Sequence, residues 1–246
     1  MKLSKSLLGA SAAILAALSA PTAAQAGEIS WSLGADLVSD YVFRGVSLAD
    51  TAVQTGVEAG MGDFYAGAWF STGLGDTSIA AGDELDLYAG YGLTLSDTIS
   101  ADVGVTYYHY PQGGGLFAEK GGAAGTYEVY GGLAFDVPLA PSVYAYYDLT
   151  LEAFTAEGGI SHSIPAGEAA SFDLGLSVGL VDGDGFSYEY GSASAALSKS
   201  ITDNASAYVG VNYTMNSDDA LNYSKILAGD PQDDLFWFGA GVSSSF

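Results

Sequence analysis

Apolar residues recur at every second position through most of the chain, in runs separated by clusters of Gly, Asp, Ser and Pro. A period of two is that of a β-strand, whose successive side chains face opposite sides of a sheet. The last run shows it most clearly. Phe236, Phe238, Ala240, Val242, Ser244 and Phe246 fall on one face, and Gly239, Gly241, Ser243 and Ser245 on the other. The run continues to the final residue. A free apolar strand edge recruits other chains, whereas a closed barrel pairs its last strand with its first and has no edge. Phe246 is then expected to lie outward beside the first strand.

The alternation predicts about twelve strands: Ile29 to about Arg44, about Thr51–Gly60, Phe64–Thr72, Glu84–Leu95, Ile99–Tyr110, Thr126–Asp136, Ser142 to about Leu149, about Phe154–Ile164, Ala170–Val181, Ser187–Ser198, Ala205–Met215 and Asp234–Phe246. Short turns at 61–63, 96–98, 137–141, 165–169 and 199–204 fall on the side of both termini. Loops at 45–50, 73–83, 111–125, 150–153, 182–186 and 216–233 fall on the other. That parity belongs to an antiparallel transmembrane barrel with both termini in the periplasm. Two of the outer connections are short, which leaves ten or fourteen strands open. A soluble β-sandwich or secreted lectin is the competing all-β architecture, and it accounts for neither the outward aromatic residues nor the terminal Phe246.

Composition sharpens this. Hydrophobic residues make up 49% of the chain, yet the net charge is −23; the two coexist if each set occupies its own face of a sheet. No segment beyond residue 26 holds the 18 consecutive apolar residues of a spanning helix. The 17 tyrosines suit a membrane–water boundary. Cysteine is absent, which excludes disulfide staples and thiolate metal sites. Lys2 and Lys5, the apolar stretch Leu7–Ala20 and Ala24-Gln25-Ala26 form the three regions of a secretory signal peptide. The expected organisation is therefore a signal peptide over 1–26, removed on export, and a barrel domain over 27–246. Beyond the signal peptide the basic residues are Arg44, Lys120, Lys199 and Lys225, so nucleic acid is an unsuitable partner.

The segment Ser39-Asp-Tyr-Val-Phe-Arg-Gly-Val-Ser47, at the end of the first predicted strand, resembles the hallmark of the TorF family of porins. Tyr107-Tyr-His-Tyr110 and Gly179-Leu-Val-Asp-Gly183 resemble later segments of that family. The terminal phenylalanine likewise resembles the targeting signal of bacterial outer-membrane barrels. The resemblance implies an outer-membrane barrel of porin type with an unsettled substrate, and it carries over no catalytic residue.

Parity assigns the lumen. Asp36, Asp40, Glu58, Glu84, Asp86, Asp102, Glu128, Asp148, Asp173 and Glu189 are read as inward, because a charge on the lipid face is costly at mid-depth. Gly34, Gly56, Gly90, Gly104, Ser192 and Gly210 are interleaved with them and suggest open volume; inward Tyr88, Tyr108 and Tyr130 suggest a narrow passage. Arg44, the only arginine, is read as sharing the inner face with Asp36, Asp40 and Glu58. A guanidinium bridges carboxylates in forked geometry. It either neutralises these acids and fixes the first hairpin, or narrows the outer lumen, and the sequence leaves both open.

Catalysis is poorly supplied. The two histidines, His109 and His162, fall near opposite ends of different strands, both outward. His109 reads as a member of an interfacial aromatic belt. Asp182-Gly-Asp-Gly185 and Asp230–Asp234 lack the spacing of a calcium loop and read as solvated acidic loops. No cofactor or metal is expected. The expected function is a passive outer-membrane channel for small hydrophilic solutes with an acidic, cation-preferring lumen. The competing one is a structural or adhesive surface barrel without conduction. Solute, oligomeric state and lumen opening are not encoded in any motif.

Overall fold

A computed structural model describes residues 29–74, 83–118, 123–217 and 233–246. The predicted signal peptide lies outside these residues, as do Lys120, Lys225 and most of the last long loop.

Twelve strands form one closed antiparallel barrel: β1 (Ser30–Phe43), β2 (Val46–Met61), β3 (Phe64–Gly73), β4 (Asp83–Thr94), β5 (Ile99–His109), β6 (Gly125–Phe135), β7 (Ser142–Asp148), β8 (Ala153–Pro165), β9 (Ala170–Gly183), β10 (Phe186–Thr202), β11 (Ala205–Asn216) and β12 (Asp234–Ser245). Each strand pairs with its neighbours in sequence, and β12 returns to β1 with Ala35 opposite Val242. The seam ends where the chain ends. Trp31 N donates to Phe246 O at 3.1 Å and Phe246 N donates to Trp31 O at 2.9 Å. The Phe246 side chain is exposed on the outside, as the terminal alternation predicts.

The exterior is apolar: Leu33, Leu37, Val103, Leu176, Val178, Val209 and Phe238 are all exposed. Water would penalise so continuous a surface, and lipid would not. Aromatic pairs lie toward both rims. Phe64 and Tyr91 meet edge-on at 4.7 Å near the rim that carries the termini, and Tyr213 and Phe236 pack at 4.6 Å near the other, the loop rim.

The main departure from the predicted elements is the first hairpin. Residues 45–50, expected to form an outer loop, are mostly strand: β2 begins at Val46, and Arg44 and Gly45 alone make the turn. Their φ values are 46° and 82°. Two positive φ angles give a turn whose twist matches that of the flanking strands. The register shifts between Tyr41 and Val42, and such a bulge bends a hairpin. Here the bent tip turns into the barrel. Val42, Val46, Ser47 and Ala49 are buried, and Tyr41, Val42 and Ala49 pack with Val38, Ala52, Trp69 and Trp237 in an apolar cluster inside the loop-rim half.

Elsewhere several interior glycines are covered by tyrosine rings. Tyrosines lie across the glycines of neighbouring strands: Tyr88 over Gly67, Tyr65 over Gly90, Tyr130 over Gly104, Tyr144 over Gly132, Tyr190 over Gly179 and Tyr208 over Gly241. A flat ring needs a neighbour without a Cβ, so these glycines admit aromatic rings, at Gly90 and Gly104 where the sequence suggested open volume. A methyl group at Gly104 would overlap both the Tyr130 ring and the Ala89 carbonyl. At Gly158 it would meet only the Ser142 carbonyl, at 3.8 Å. Gly104→Ala is therefore expected to cost about 1–3 kcal/mol and to lower the temperature at which the barrel loses its folded gel mobility. Gly158→Ala is expected to leave that temperature unchanged. Equal midpoints for the two variants would show that the ring does not rest on Gly104.

Candidate functional site

The interior carboxylates are held mainly by tyrosine hydroxyls from other strands. Tyr208 donates to Asp36 at 2.8 Å, Tyr88 to Glu58 at 3.1 Å, Tyr41 to Glu84 at 3.0 Å and Tyr108 to Glu128 at 2.9 Å. Tyr65 donates to Asp102 at 2.8 Å, and its oxygen lies 2.6 Å from that of Tyr130. Asp173 accepts from Ser163 and Ser171 at 2.6 and 3.1 Å. Asp40 is buried and accepts from Ser39. Asp86 sits beside Glu84 on the inner face of β4. Asp148 is buried and accepts from the backbone N–H groups of Thr150 and Leu151, so it caps the β7–β8 turn. A phenol donates one hydrogen bond and brings no charge, so this scheme orients the acids without neutralising them.

Two positions differ from the parity reading. Glu189 lies on the outside: it is exposed, pairs with the outward Leu180, and neighbours the inward Tyr190. Its place near the loop-rim end of β10 keeps the carboxylate within reach of water, so the charge is tolerated there. Glu157 on β8 is an interior acid absent from the predicted set; it accepts from Tyr190 at 2.7 Å. Glu189 shares its parity with the outward Ala193, Ala195 and Leu197 of β10, whose partners Leu176, Leu174 and Phe172 face lipid.

Arg44 carries the largest correction. Its partner is none of Asp36, Asp40 and Glu58 but Glu128 on β6, across the barrel. Nη1 lies 2.6 Å from Oε2 and Nη2 lies 2.9 Å from Oε1. The bulge after Tyr41 carries the tip away from the acids of its own hairpin. The guanidinium stacks on the Tyr146 ring of β7, with Cζ 4.2 Å from the centroid, and lies 4.8 Å from the Phe43 centroid. Asn216 Nδ2 of β11 donates to Gly45 O at 2.8 Å. Gly45 also packs so closely on Tyr190 of β10 that any side chain there would collide. Strands β6, β7, β10 and β11 thus all grip a tip that starts from β1 and β2. The tip crosses the lumen.

The lumen therefore has two unlike halves. Toward the loop rim Arg44, Ser47, Glu84, Glu128, Asp148, Thr155, Asn212 and Trp237 are buried, and the passage is filled. Toward the terminal rim the wall of β9, β10 and β11 presents Gly175, Ser177, Ser192, Ser194 and Gly210, all half-buried. This wall is small and polar, and faces the tyrosine-covered wall of β3 to β7.

The histidines stay apart. His109 is covered by the β5–β6 connection, with Nδ1 2.9 Å from Ala124 O and its ring stacked on Tyr107. His162 is exposed on β8 near the other rim, opposite Leu174. Among the described residues no His/Asp/Glu group is arranged to hold a metal ion. Of the two acidic loops, Asp182 and Asp184 are exposed; residues 230–232 lie outside the described residues.

A family model described as "Bacterial protein of unknown function (Gcw_chp)" matches residues 22–154, and the chain belongs to that family. No curated protein matches it. Its fold is similar to that of solved porins. A KdgM porin structure aligns with a TM-score of 0.55 at 13% identity, covering 88% of this chain and 99% of that one. A NanC porin aligns with a TM-score of 0.55 at 14% identity, covering 87% and 98%. A KdgM porin in complex with disordered oligogalacturonate aligns with a TM-score of 0.55 at 12% identity, covering 88% and 99%. At such identities the likeness is one of fold.

Because both partners are buried, removing one leaves an uncompensated charge. Glu128→Gln is expected to destabilise the barrel by about 3–5 kcal/mol. Adding Arg44→Ala to that variant should restore part of the loss, with a coupling of about 1–3 kcal/mol in a double-mutant cycle of urea unfolding in detergent. Strict additivity would show that the fork is not formed.

Proposed function

We propose that this member of the Gcw_chp family is a channel of the bacterial outer membrane that passes small hydrophilic solutes, prefers cations, and is narrowed at its outer mouth by its own first hairpin. The observation that carries this reading is a closed barrel with a lipid-compatible exterior and carboxylates facing inward, against one buried arginine. A negative lumen inside a low-dielectric wall attracts cations and repels anions. The resemblance of Ser39–Ser47 to the TorF porins supports the same reading, as does the similarity of fold to KdgM and NanC. With residues 1–26 removed as a signal peptide, residues 27–246 would insert with both termini in the periplasm and the loop rim outward. Pore-lining roles then fall to Asp36, Asp40, Glu58, Glu84, Asp86, Asp102, Glu128, Asp148 and Asp173, with Glu157 added and Glu189 left to the outer rim.

The KdgM complex names oligogalacturonate as its ligand. That polyanion does not transfer to this lumen, whose fixed charge has the same sign. The filled loop-rim half favours a second reading, a structural barrel that does not conduct, and conduction separates the two.

In planar bilayers the purified protein is expected to conduct in small steps, with a reversal potential in a KCl gradient that marks cation preference and fades as ionic strength rises. Arg44→Ala should free the hairpin tip and raise conductance several-fold. Arg44→Lys, which keeps the charge but loses the fork, should fall between the two. Anion preference would refute the acidic lumen. Silence from both the unaltered protein and Arg44→Ala would favour the structural barrel.

A further inference from the structure

The place occupied by the Arg44 guanidinium has the composition of a receptor for organic cations. Glu128 offers both carboxylate oxygens in a fork, at 2.6 and 2.9 Å. The Tyr146 ring lies face-on at 4.2 Å, and an aromatic face attracts a poorly hydrated cation. The Tyr146 hydroxyl is buried with no hydrogen-bond partner among the described residues. Tyr108 and Tyr190 orient Glu128 and Glu157 through their hydroxyls, and Glu157 also lies within electrostatic reach of the guanidinium.

The origin of these groups matters. Tyr108, Glu128, Tyr146, Glu157 and Tyr190 belong to β5, β6, β7, β8 and β10. They are barrel wall. Only Phe43 and Arg44 itself arrive with the hairpin. If the tip withdraws, the receptor remains complete except for one ring. The tether is also unfavourable in itself, since Arg44 holds a positive φ that L-residues with a Cβ avoid.

We infer that this wall site binds a solute carrying a guanidinium or primary ammonium group, and that such a solute competes with Arg44 for Glu128 and Tyr146 and so releases the hairpin. Arg44 is then a built-in substitute for the solute: it closes the mouth when the site is otherwise empty and yields to a cation of the same chemistry. A small hydrated metal cation gains less, because the ring face favours weakly hydrated charge. This inference rests on the channel reading and narrows it to organic cations.

The test uses methylguanidinium as probe and sodium at equal ionic strength as reference. In bilayers, millimolar methylguanidinium should raise the conductance of the unaltered protein, because it displaces Arg44. It should reduce that of Arg44→Ala, because it occupies a vacated site in a passage already open. Arg44→Ala/Glu128→Gln should respond to neither ion differently. The same variants in detergent give a readout independent of conduction: methylguanidinium should raise the unfolding temperature of Arg44→Ala by a few degrees and leave that of the double variant unchanged. If the probe acts no differently from sodium on Arg44→Ala in both assays, or acts equally on the double variant, the receptor does not exist. If thermal stabilisation appears while no variant conducts, the receptor stands and the channel reading fails.

Discussion

A single buried guanidinium organises the mouth of this barrel. Arg44 is the only arginine in a chain of net charge −23, and the barrel places it among carboxylates in a region sealed from solvent. A charge there without a partner would cost several kcal/mol, so the position of the hairpin depends on the fork to Glu128. Once formed, the fork fixes much else. It holds a strained turn, draws Gly45 against Tyr190 and Asn216, and lets Val38, Tyr41, Val42 and Ala49 bury against Trp69 and Trp237. Apolar burial and the ion pair reinforce each other: the cluster excludes water from the pair, and the pair keeps the hairpin where the cluster can form.

Below the hairpin the same problem, keeping acids in a confined space, has another solution. The carboxylates of Asp36, Glu58 and Asp102 are bound by the hydroxyls of Tyr208, Tyr88 and Tyr65. Each of those rings lies over a glycine of an adjacent strand. A phenol orients a carboxylate without pairing it with an opposite charge. Toward the terminal rim the arrangement leaves the β9–β11 wall with small side chains apart from Tyr208, which gives that half its two unlike walls. These glycine–tyrosine pairs share one cause: a ring can lie flat inside a narrow barrel only where its neighbour has no side chain.

Much of this was legible in the sequence. The period of two along Phe236–Phe246 and along Ile99–Tyr107 sets both strand and face, and the parity of turns requires an even number of strands near the twelve observed. Lipid outside and water inside enforce the alternation at every position, so a local pattern carries global information. What was hidden depends on contacts across the barrel. Glu128 is 84 residues from Arg44 and no local period links them, whereas Asp40 and Glu58 seemed near because they share the hairpin. The segment Ser47-Leu-Ala-Asp-Thr51 resembles a loop because its buried positions, Ser47 and Ala49, carry small side chains while the larger Leu48 is only half-buried, so hydrophobicity does not follow the alternation of burial. Glu189 lies outside because it continues the outward alternation of Ala193, Ala195 and Leu197, and Glu157 lies inside because its register sets it opposite Gly179, next to the inward Tyr190. Strand β8 shows no clear alternation of its own, so for Glu157 the face follows only from the register with β9.

The claim on which all of this depends is that the hairpin tip lies folded inside the mouth. Ser47 is fully buried there, and the chain has no cysteine of its own. The direct measurement is the reaction of Ser47→Cys with a bulky membrane-impermeant maleimide on intact cells, beside Asp184→Cys in the exposed β9–β10 turn and Ser47→Cys combined with Arg44→Ala. With the tip folded inside, labelling is rapid at position 184, almost absent at 47, and restored at 47 once Arg44 is removed. Labelling at 47 as fast as at 184 with Arg44 in place would mean that the hairpin stands outside the barrel, and would contradict the account at its root.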